Sequence, residues 1–596
     1  MLLVLGLAAL APFQTLAAEG DGAPVILISI DTLRADHLSV YGYKRLRTPH
    51  LDAFVKGGTL FRRAEAQIPL TLPSHTSFFT STYPFENHVE ENGQRVPAGV
   101  VTLASVLRAH GYATAAFIGS DFLDSRFGLD AGFDVYDSPF EIEAGRSQSP
   151  APAALRRDGS LVVRAAREYL DAHRGQRVFV FVHLYDLHTP YSSWTQAARA
   201  AGVSPYDGAL AYVDKVIGGL QQALTSGGWW DKSLVVLLSD HGEGLGEHRE
   251  KDHGYFIYES TLWVPLIAHW PVGTPSYPAA ARGPVGLIDV APTLLSFLHL
   301  PVPPEFHGQS LLGALKQERA NASGEQRSRP VFSESVYARD AFGWAPLRAL
   351  HAGRYKFILA PREELFDLEA DPHELSNLLP GKSALANELK NQLGILMARD
   401  NHAAPGAAVG PSPETRARLE SLGYLAAQPR GGGFSSGPDP KDRLAEYELY
   451  QKALGAFEEG CVSTALPLFR KILAADSKNT LARFHLGECY LKTRKGELAL
   501  REWATTLQID PTYAPAAEAI GQYNLDHGDY AEARRRFQQA LTLTPDGFTA
   551  RFGLGLAEER AGHLDVARQH LQAACRLAPH SQACARELES LDLKLK

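Results

Sequence analysis

At 596 residues, 45% hydrophobic and 21% charged, the chain has globular composition and the length of two to four domains, which excludes a disordered, collagen-like or coiled-coil protein. A net charge of −8 argues against life on a nucleic-acid backbone, and no nucleic-acid partner is expected. The residues are unevenly placed: 17 of the 22 histidines precede Arg443, the four cysteines all fall at Cys461 or later, and the acidic excess lies wholly upstream of Arg443.

Leu2 to Ala18 is an uncharged apolar stretch followed by small residues, which reads as an export signal over 1–18 and places the protein in a periplasmic or extracellular setting. Left uncleaved, residues 2–18 would be an N-terminal anchor giving membrane association, facing outward. From Pro24 the chain alternates strand-like and helix-like segments. Val25–Ile30, Thr114–Ile118, Val178–Val182 and Leu234–Leu238 are apolar runs of strand length, with helical stretches such as Gly99–His110 and Arg157–His173 between them. That alternation predicts an α/β sheet covered by helices on both faces over 24–402.

Functional residues of such sheets collect just past the carboxyl ends of strands. Three of the four runs end in metal-ligand residue types: Asp31 after the first, His183, Asp186 and His188 after the third, and Asp240, His241, Glu243 and His248 after the fourth, with His253 close behind. Carboxylates and imidazoles converging from separate strands suit a divalent cation: calcium, magnesium, manganese or zinc. The segment PLTLPSHTSFFTS at 69–81 adds hydroxyls at a helix start. Ser74, Thr76 and Ser77 are expected as helix caps, whereas a hydroxyl bound to a cation becomes a nucleophile near neutral pH.

Residues 403–440, rich in Gly, Pro, Ala and Ser, read as a linker or loosely packed surface. Beyond it, over 443–596, the sequence repeats every 34 residues: Ala465, Ala499, Ala533 and Ala567; Gly487, Gly521 and Gly555; Phe469, Trp503, Phe537 and Leu571. Gly460, Gly528 and Gly562 keep the same step, with Arg494 in the remaining slot. Small residues recur where two helices approach closely and large ones on the facing ridge. The pattern resembles about four tetratricopeptide repeats, which implies an all-α solenoid and a protein or peptide partner. The cysteines lie in these helices; their spacings give no metal pattern and assign no disulfide pair.

Several motifs in order, ISIDTLRADHLSVYGY, TPHLDAFVKGGTLF, TLPSHTSFFTSTYP, SDHGEGLGEH, YESTLWVPLIAHWP, GLIDVAPTLLSFLHLPVP and LFDLEADPHELSNL, resemble the sulfatase family of the alkaline phosphatase superfamily from about Pro24 to Leu378. The resemblance implies the superfamily's sheet-and-helix sandwich and an anionic ester substrate. It implies Asp31, Thr71, Asp240 and His241 as ligands of one or two divalent ions, with Thr71 also the nucleophile. His188 would contact the transferred group or assist the leaving oxygen, His253 would help hold the anionic group or a second metal, and Asn92 would contact substrate. His75 stands where the sulfatase motif has Arg, and is assigned to substrate contact. A second ion would need a set such as Asp186, His188 and His253, although Asp186 could equally orient His188.

The sequence departs from the sulfatase pattern at the nucleophile. Sulfatases make formylglycine from Cys or Ser in C/S-x-P-x-R; here the string is Thr71-Leu72-Pro73-Ser74-His75, and Thr32 replaces the second of two adjacent Asp. Oxidised threonine would not yield an aldehyde, so the expected substrate is a phosphate or phosphonate ester ahead of a sulfate ester. A transferase passing the same group to an envelope sugar or lipid hydroxyl is the first alternative, and a non-catalytic repeat scaffold the second. Removal of residues 440–596 is expected to spare turnover of a small ester.

Overall fold

The computed structural model describes residues 20–595 apart from 21, 141–155, 275–276, 321–328, 400–436, 459, 544–546 and 578–580. The expected export signal and most of the expected linker therefore lie outside the described residues. No helix among the described residues is long and apolar enough to cross a membrane.

Among the described residues the main sheet has eight strands: β1 (Val25–Ile30), β2 (Gly58–Glu65), β3 (Ala113–Phe117), β4 (Val135–Asp137), β5 (Val178–Leu184), β6 (Leu234–Leu238), β7 (Trp263–His269) and β8 (Ala280–Gly286), in the order β4-β3-β5-β1-β6-β7-β2-β8. From β4 to β6 neighbours are parallel; β7 runs antiparallel to both β6 and β2. β2 thus points the same way as β1, β5 and β6, and all four deliver their carboxyl ends to one edge. β1 is buried throughout, with Ile26, Ile28 and Ile30 in one core and Val25 and Leu27 in the other, as a centrally placed parallel strand must be. Helices Gly159–Ala172 and Pro205–Ser226 cover the first core with Val162, Ala166 and Leu170 and with Leu210, Val213, Ile217 and Leu220. The strand reading agrees with the sequence, β5 running two residues further because His183 and Leu184 stay buried in the ladder with β1.

A second, antiparallel sheet follows: β9 (Val331–Ser335), β10 (Leu347–Ala352), β11 (Tyr355–Leu359) and β12 (Glu364–Asp367), in the order β12-β11-β10-β9. A buried ionic network joins it to the end of β2. His351 Nδ1 pairs with Glu65, its Nε2 donates to Gly353 O (3.0 Å), and Lys356 Nζ reaches both Glu259 and Glu374 (3.0 Å each). Arg63 pairs with the other oxygen of Glu259 at 3.0 Å. With an acceptor on each ring nitrogen, His351 is an imidazolium. Burial opposes that charge, but Glu65 outweighs it and raises the pKa above its ordinary 6.5. The stability from this pair is fully present below pH 6.5 and is lost as pH rises through the raised value. His351→Gln should flatten the alkaline fall of Tm with pH; an unaltered slope would show that the pair does not titrate.

The C-terminal region is a helical solenoid. Its described helices pair as 444–458 with 462–475, 480–492 with 496–509, 514–526 with 530–543 and 548–560 with 564–577, followed by 582–594. The periodic residues have the contacts their period predicts. A Cβ on Gly487 would lie 2.3 Å from Trp503 Nε1, and one on Gly521 2.9 Å from the Phe537 ring. Ala465, Ala499, Ala533 and Ala567 are all fully buried. The inter-helix slot takes left-handed backbone, with φ of +77° at Gly460 and +83° at Gly528, and Arg494 is held there at +59°. Cys575 and Cys584, which spacing alone could not pair, form a disulfide tying helix 564–577 to helix 582–594.

Candidate active site

Asp31 leaves the end of β1, and Asp240 and His241 the end of β6. One ligand atom from each lies within 4.8 Å of the others, all fully buried. Thr71 arrives from beyond β2 as the first residue of helix Thr71–Thr80, and its Oγ1 is 3.5 Å from His241 Nε2. Because His241 Nδ1 donates to Gly242 O (2.9 Å), the Nε2 lone pair is the one turned toward Thr71 and toward Asp240 Oδ2, 3.4 Å away.

The start of this helix is capped from a distance. Leu70 offers no capping side chain and Pro73 has no N–H, so the free Leu72 N–H is taken by Asn92 Oδ1 at 2.9 Å. That bond fixes the Asn92 amide and leaves its Nδ2 buried with no hydrogen-bond partner. Ser74 and Thr76 do not cap the helix as the sequence suggested. The helix begins at Thr71, so both lie inside it: Ser74 Oγ donates to Asp240 O (2.7 Å) and Thr76 Oγ1 to Leu72 O (2.8 Å). Ser77, one residue on, is interior too.

His75 lies beneath the cluster, fully buried. Its Nδ1 donates to Thr71 O (2.7 Å) and its Nε2 accepts from Ser29 Oγ (3.0 Å); burial pushes its pKa down to about 3, so the ring is neutral. His183 is a second buried imidazole, stacked edge-on to His75 and 3.5 Å from Asp31 Oδ2. Asp186 turns away, accepting Gly159 N–H at the start of helix Gly159–Ala172. Thr32 also turns away: its hydroxyl donates to Leu187 O (3.1 Å) from a left-handed backbone at φ +55°.

Three further groups face the cluster. His188 donates Nδ1–H to Thr189 O (2.7 Å) and stacks on Tyr185. His253 stands with its ring centroid 4.3 Å from that of His241 and 5.1 Å from that of His188. Its Nδ1 is bound to Glu243 Oε1 (2.9 Å), whose other oxygen accepts from Tyr191 (2.8 Å). Burial lowers the His253 pKa, but Glu243 overcomes it and holds the ring above its ordinary value. The third group, Arg156, escaped the sequence reading. Its guanidinium donates to His188 O (3.0 Å) and lies over the Tyr185 ring. Arg34 ties Asp36, Glu247 and the Glu243 carbonyl together, so it fixes the loops at the strand ends. His248, by contrast, stacks on Tyr258 and bonds His373 O, away from the cluster.

The donor set fits a divalent cation. Both Asp31 oxygens and Asp240 Oδ2 are buried without a hydrogen-bond partner. Burial pushes Asp31 up to about 6, and burial together with the charge of Asp31 pushes Asp240 far above the usual range. Two carboxylates so placed stay ionised together only with positive charge between them. Asp31, Asp240, His241 and Thr71 Oγ1 are the groups that would hold it. The other three-donor cluster among the described residues, Glu65, Glu259 and His351, already has Lys356 and Arg63 as its cations.

The family model described as Sulfatase matches residues 24–300, and one described as N-sulphoglucosamine sulphohydrolase, C-terminal, matches 246–399. The Tetratricopeptide repeat model matches 450–514 and 518–581. Similar curated proteins include the ulvan-active sulfatase of Formosa agariphila, 24% identical over 62% of this chain and 80% of that protein. The choline-sulfatase of Rhizobium meliloti is 25% identical over 59% of this chain and 82% of its own length. Among solved structures, the phosphonate monoester hydrolase of Agrobacterium radiobacter superposes with a TM-score of 0.52 at 20% identity, covering 66% of this chain and 100% of that one. At that identity the likeness concerns the fold alone.

Proposed function

From a chain whose residues 24–300 belong to the sulfatase family and whose residues 450–581 are tetratricopeptide repeats, we propose a metal-dependent ester hydrolase that works through Thr71. The observation that carries this is the placement of the Thr71 hydroxyl at a helix N-terminus beside the Asp31, Asp240 and His241 donors. A divalent cation held there supplies Lewis-acid charge that favours the ionised hydroxyl. The helix N-terminus adds partial positive charge at the same point.

Thr71 Oγ attacks the phosphorus of an anionic ester, forming a phosphothreonine as the bond to the leaving oxygen breaks. His253, held by Glu243 with its pKa raised, gives that oxygen a proton. His188 Nε2 and Arg156 flank the same space, and Asn92 Nδ2 is available to a non-bridging oxygen. Water then attacks the phosphorus and releases Thr71, the proton returning through the same histidines. His75 serves from below, holding the Thr71 carbonyl and so the start of the helix.

Threonine at the nucleophile position favours phosphorus over sulfur, since a sulfothreonine lacks the elimination route that an aldehyde hydrate provides. A panel of phosphate monoesters, phosphodiesters, phosphonate monoesters and sulfate monoesters should rank every sulfate ester below the best phosphorus ester. The opposite order, or an aldehyde found by mass spectrometry at Thr71, would overturn the assignment. The Cys575–Cys584 disulfide supports an exported protein, because such bonds persist in oxidising compartments. The solenoid is assigned a protein or peptide partner.

A further inference from the structure

The loop carrying His253 is not held by the catalytic domain alone. From Gly242 to Phe256 the chain doubles back on itself: Gly244 N–H donates to Asp252 O (2.6 Å), Leu245 to Lys251 O (3.0 Å) and Gly246 to Glu250 O (2.7 Å). Gly244 is required by this approach, since a Cβ there would lie 2.5 Å from Glu250 O and 2.6 Å from Asp252 O. Glu250 Oε1 closes the loop by accepting the N–H groups of Tyr255 and Phe256. His241 thus enters the loop at one side and His253 leaves it at the other, with Glu243 bridging across to His253.

Tyr255, two residues past His253, is fully buried. Its ring stacks on Tyr447 with centroids 4.6 Å apart, and its hydroxyl donates to Pro440 O at 3.0 Å. Tyr447 belongs to the first solenoid helix, Leu444–Glu458, and is itself 5% exposed. Its hydroxyl accepts from Gln451. The same helix packs Tyr447 and Tyr450 against Phe342, and Ala345 N–H donates to Pro438 O. The described end of the expected linker, 437–440, is therefore part of a packed joint, with Asp439 accepting from Arg362 N–H. A cut at 440 would strip cover from Tyr255 and Phe342, so that truncation does not leave the catalytic domain as it is in the full chain.

We propose that Tyr447 is a positioning residue for the active site: backing Tyr255, it holds the 242–256 loop so that His253 faces His241 and His188. The consequence is that the first solenoid helix is a working part of the catalytic unit. This rests on the ester-hydrolase reading above, but one arm of its test does not.

The test uses the full chain and compares Tyr447→Phe, which keeps the ring on Tyr255, with Tyr447→Leu, which keeps an apolar side chain and loses the stack. Hydrogen–deuterium exchange over 242–256 should quicken in the Leu variant and stay at the wild-type rate in the Phe variant. On an ester the wild type hydrolyses, the Leu variant should lose about ten- to a hundredfold in kcat with KM little changed, and Phe should restore it. Unchanged exchange in the Leu variant, or equal losses in both, would overturn the proposal. Should the Leu variant not fold, Tyr447→Met, flexible enough to fill the slot, is read in the same way. A wild type inactive on every ester of the panel would refute the hydrolase reading while the exchange comparison still decides the role of Tyr447.

Discussion

Thr71→Ala is expected to abolish turnover, with a loss of at least about a thousandfold in kcat, while Tm falls by no more than a few degrees. The asymmetry follows from which atoms of Thr71 do what. The bonds that hold its helix use the Thr71 carbonyl, taken by His75, and the Leu72 N–H, taken by Asn92, and neither involves the side chain. Removing the hydroxyl and methyl leaves a small gap, worth about 1 kcal/mol. The helix start therefore stays in place and only the attacking oxygen is lost. Thr71→Ser, which keeps that oxygen, should retain measurable turnover and trap as a covalent phospho-enzyme. An Ala variant with near wild-type kcat would remove Thr71 from the reaction.

Asp240→Asn should invert its effect on stability with the metal content of the buffer. In excess chelator, Asp31 and Asp240 are two buried carboxylates with unpartnered oxygens and no cation between them. Holding the second carboxyl there costs either that repulsion or a proton taken up against its ordinary pKa, on the order of 1–3 kcal/mol, and Asn costs neither, so the variant should melt higher than the wild type by several degrees. Asn keeps the Oδ1 acceptor that receives His241 N–H at 2.9 Å, so the strand end is undisturbed. On adding a divalent cation the wild type gains binding free energy and the variant gains less, and the order reverses. Differential scanning fluorimetry with and without metal reads both halves. A variant less stable than wild type in chelator would show that these carboxylates are balanced by something other than a bound cation.

The parts of this molecule that were legible in the sequence are those encoded by contiguous residues. β1 and β6 announce themselves as apolar runs, interrupted only by Ser29, because a strand covered on both faces has no solvent side. The strand ends offer Asp31, Asp240 and His241 only among several possible donors, His183, Asp186 and His248 with them, and it is the family resemblance that narrows the set. The 34-residue period is legible because every helix pair repeats one close approach. What stayed hidden depends on pairings between distant positions. Glu65 and His351 are 286 residues apart, and no local pattern marks either as half of an ion pair. Arg156 precedes a helix and reads as an ordinary basic residue until the fold lays it over Tyr185. The resemblance assigns Asn92 to substrate contact, whereas its capping of a helix twenty residues earlier in the chain appears only in the fold. The linker ran too far in the sequence reading because composition registers Gly and Pro but not the partners waiting for Pro438 and Asp439.

The Cys575–Cys584 bond bears on how the solenoid comes apart. A stacked array touches only its neighbours, so melting normally starts at whichever terminus has the fewest contacts and travels inward. Here one terminus is welded to the catalytic domain through Tyr447 and Tyr450, and helix 582–594 at the other is stapled to its neighbour by the disulfide. The disulfide holds the start of helix 582–594 to its neighbour, so fraying from that side stops at Cys584, and a protease would have to wait for a larger opening to go further. Reduction frees one terminus alone, so digestion would then proceed from the Cys584 side toward the catalytic domain, shortening the array one helix pair at a time.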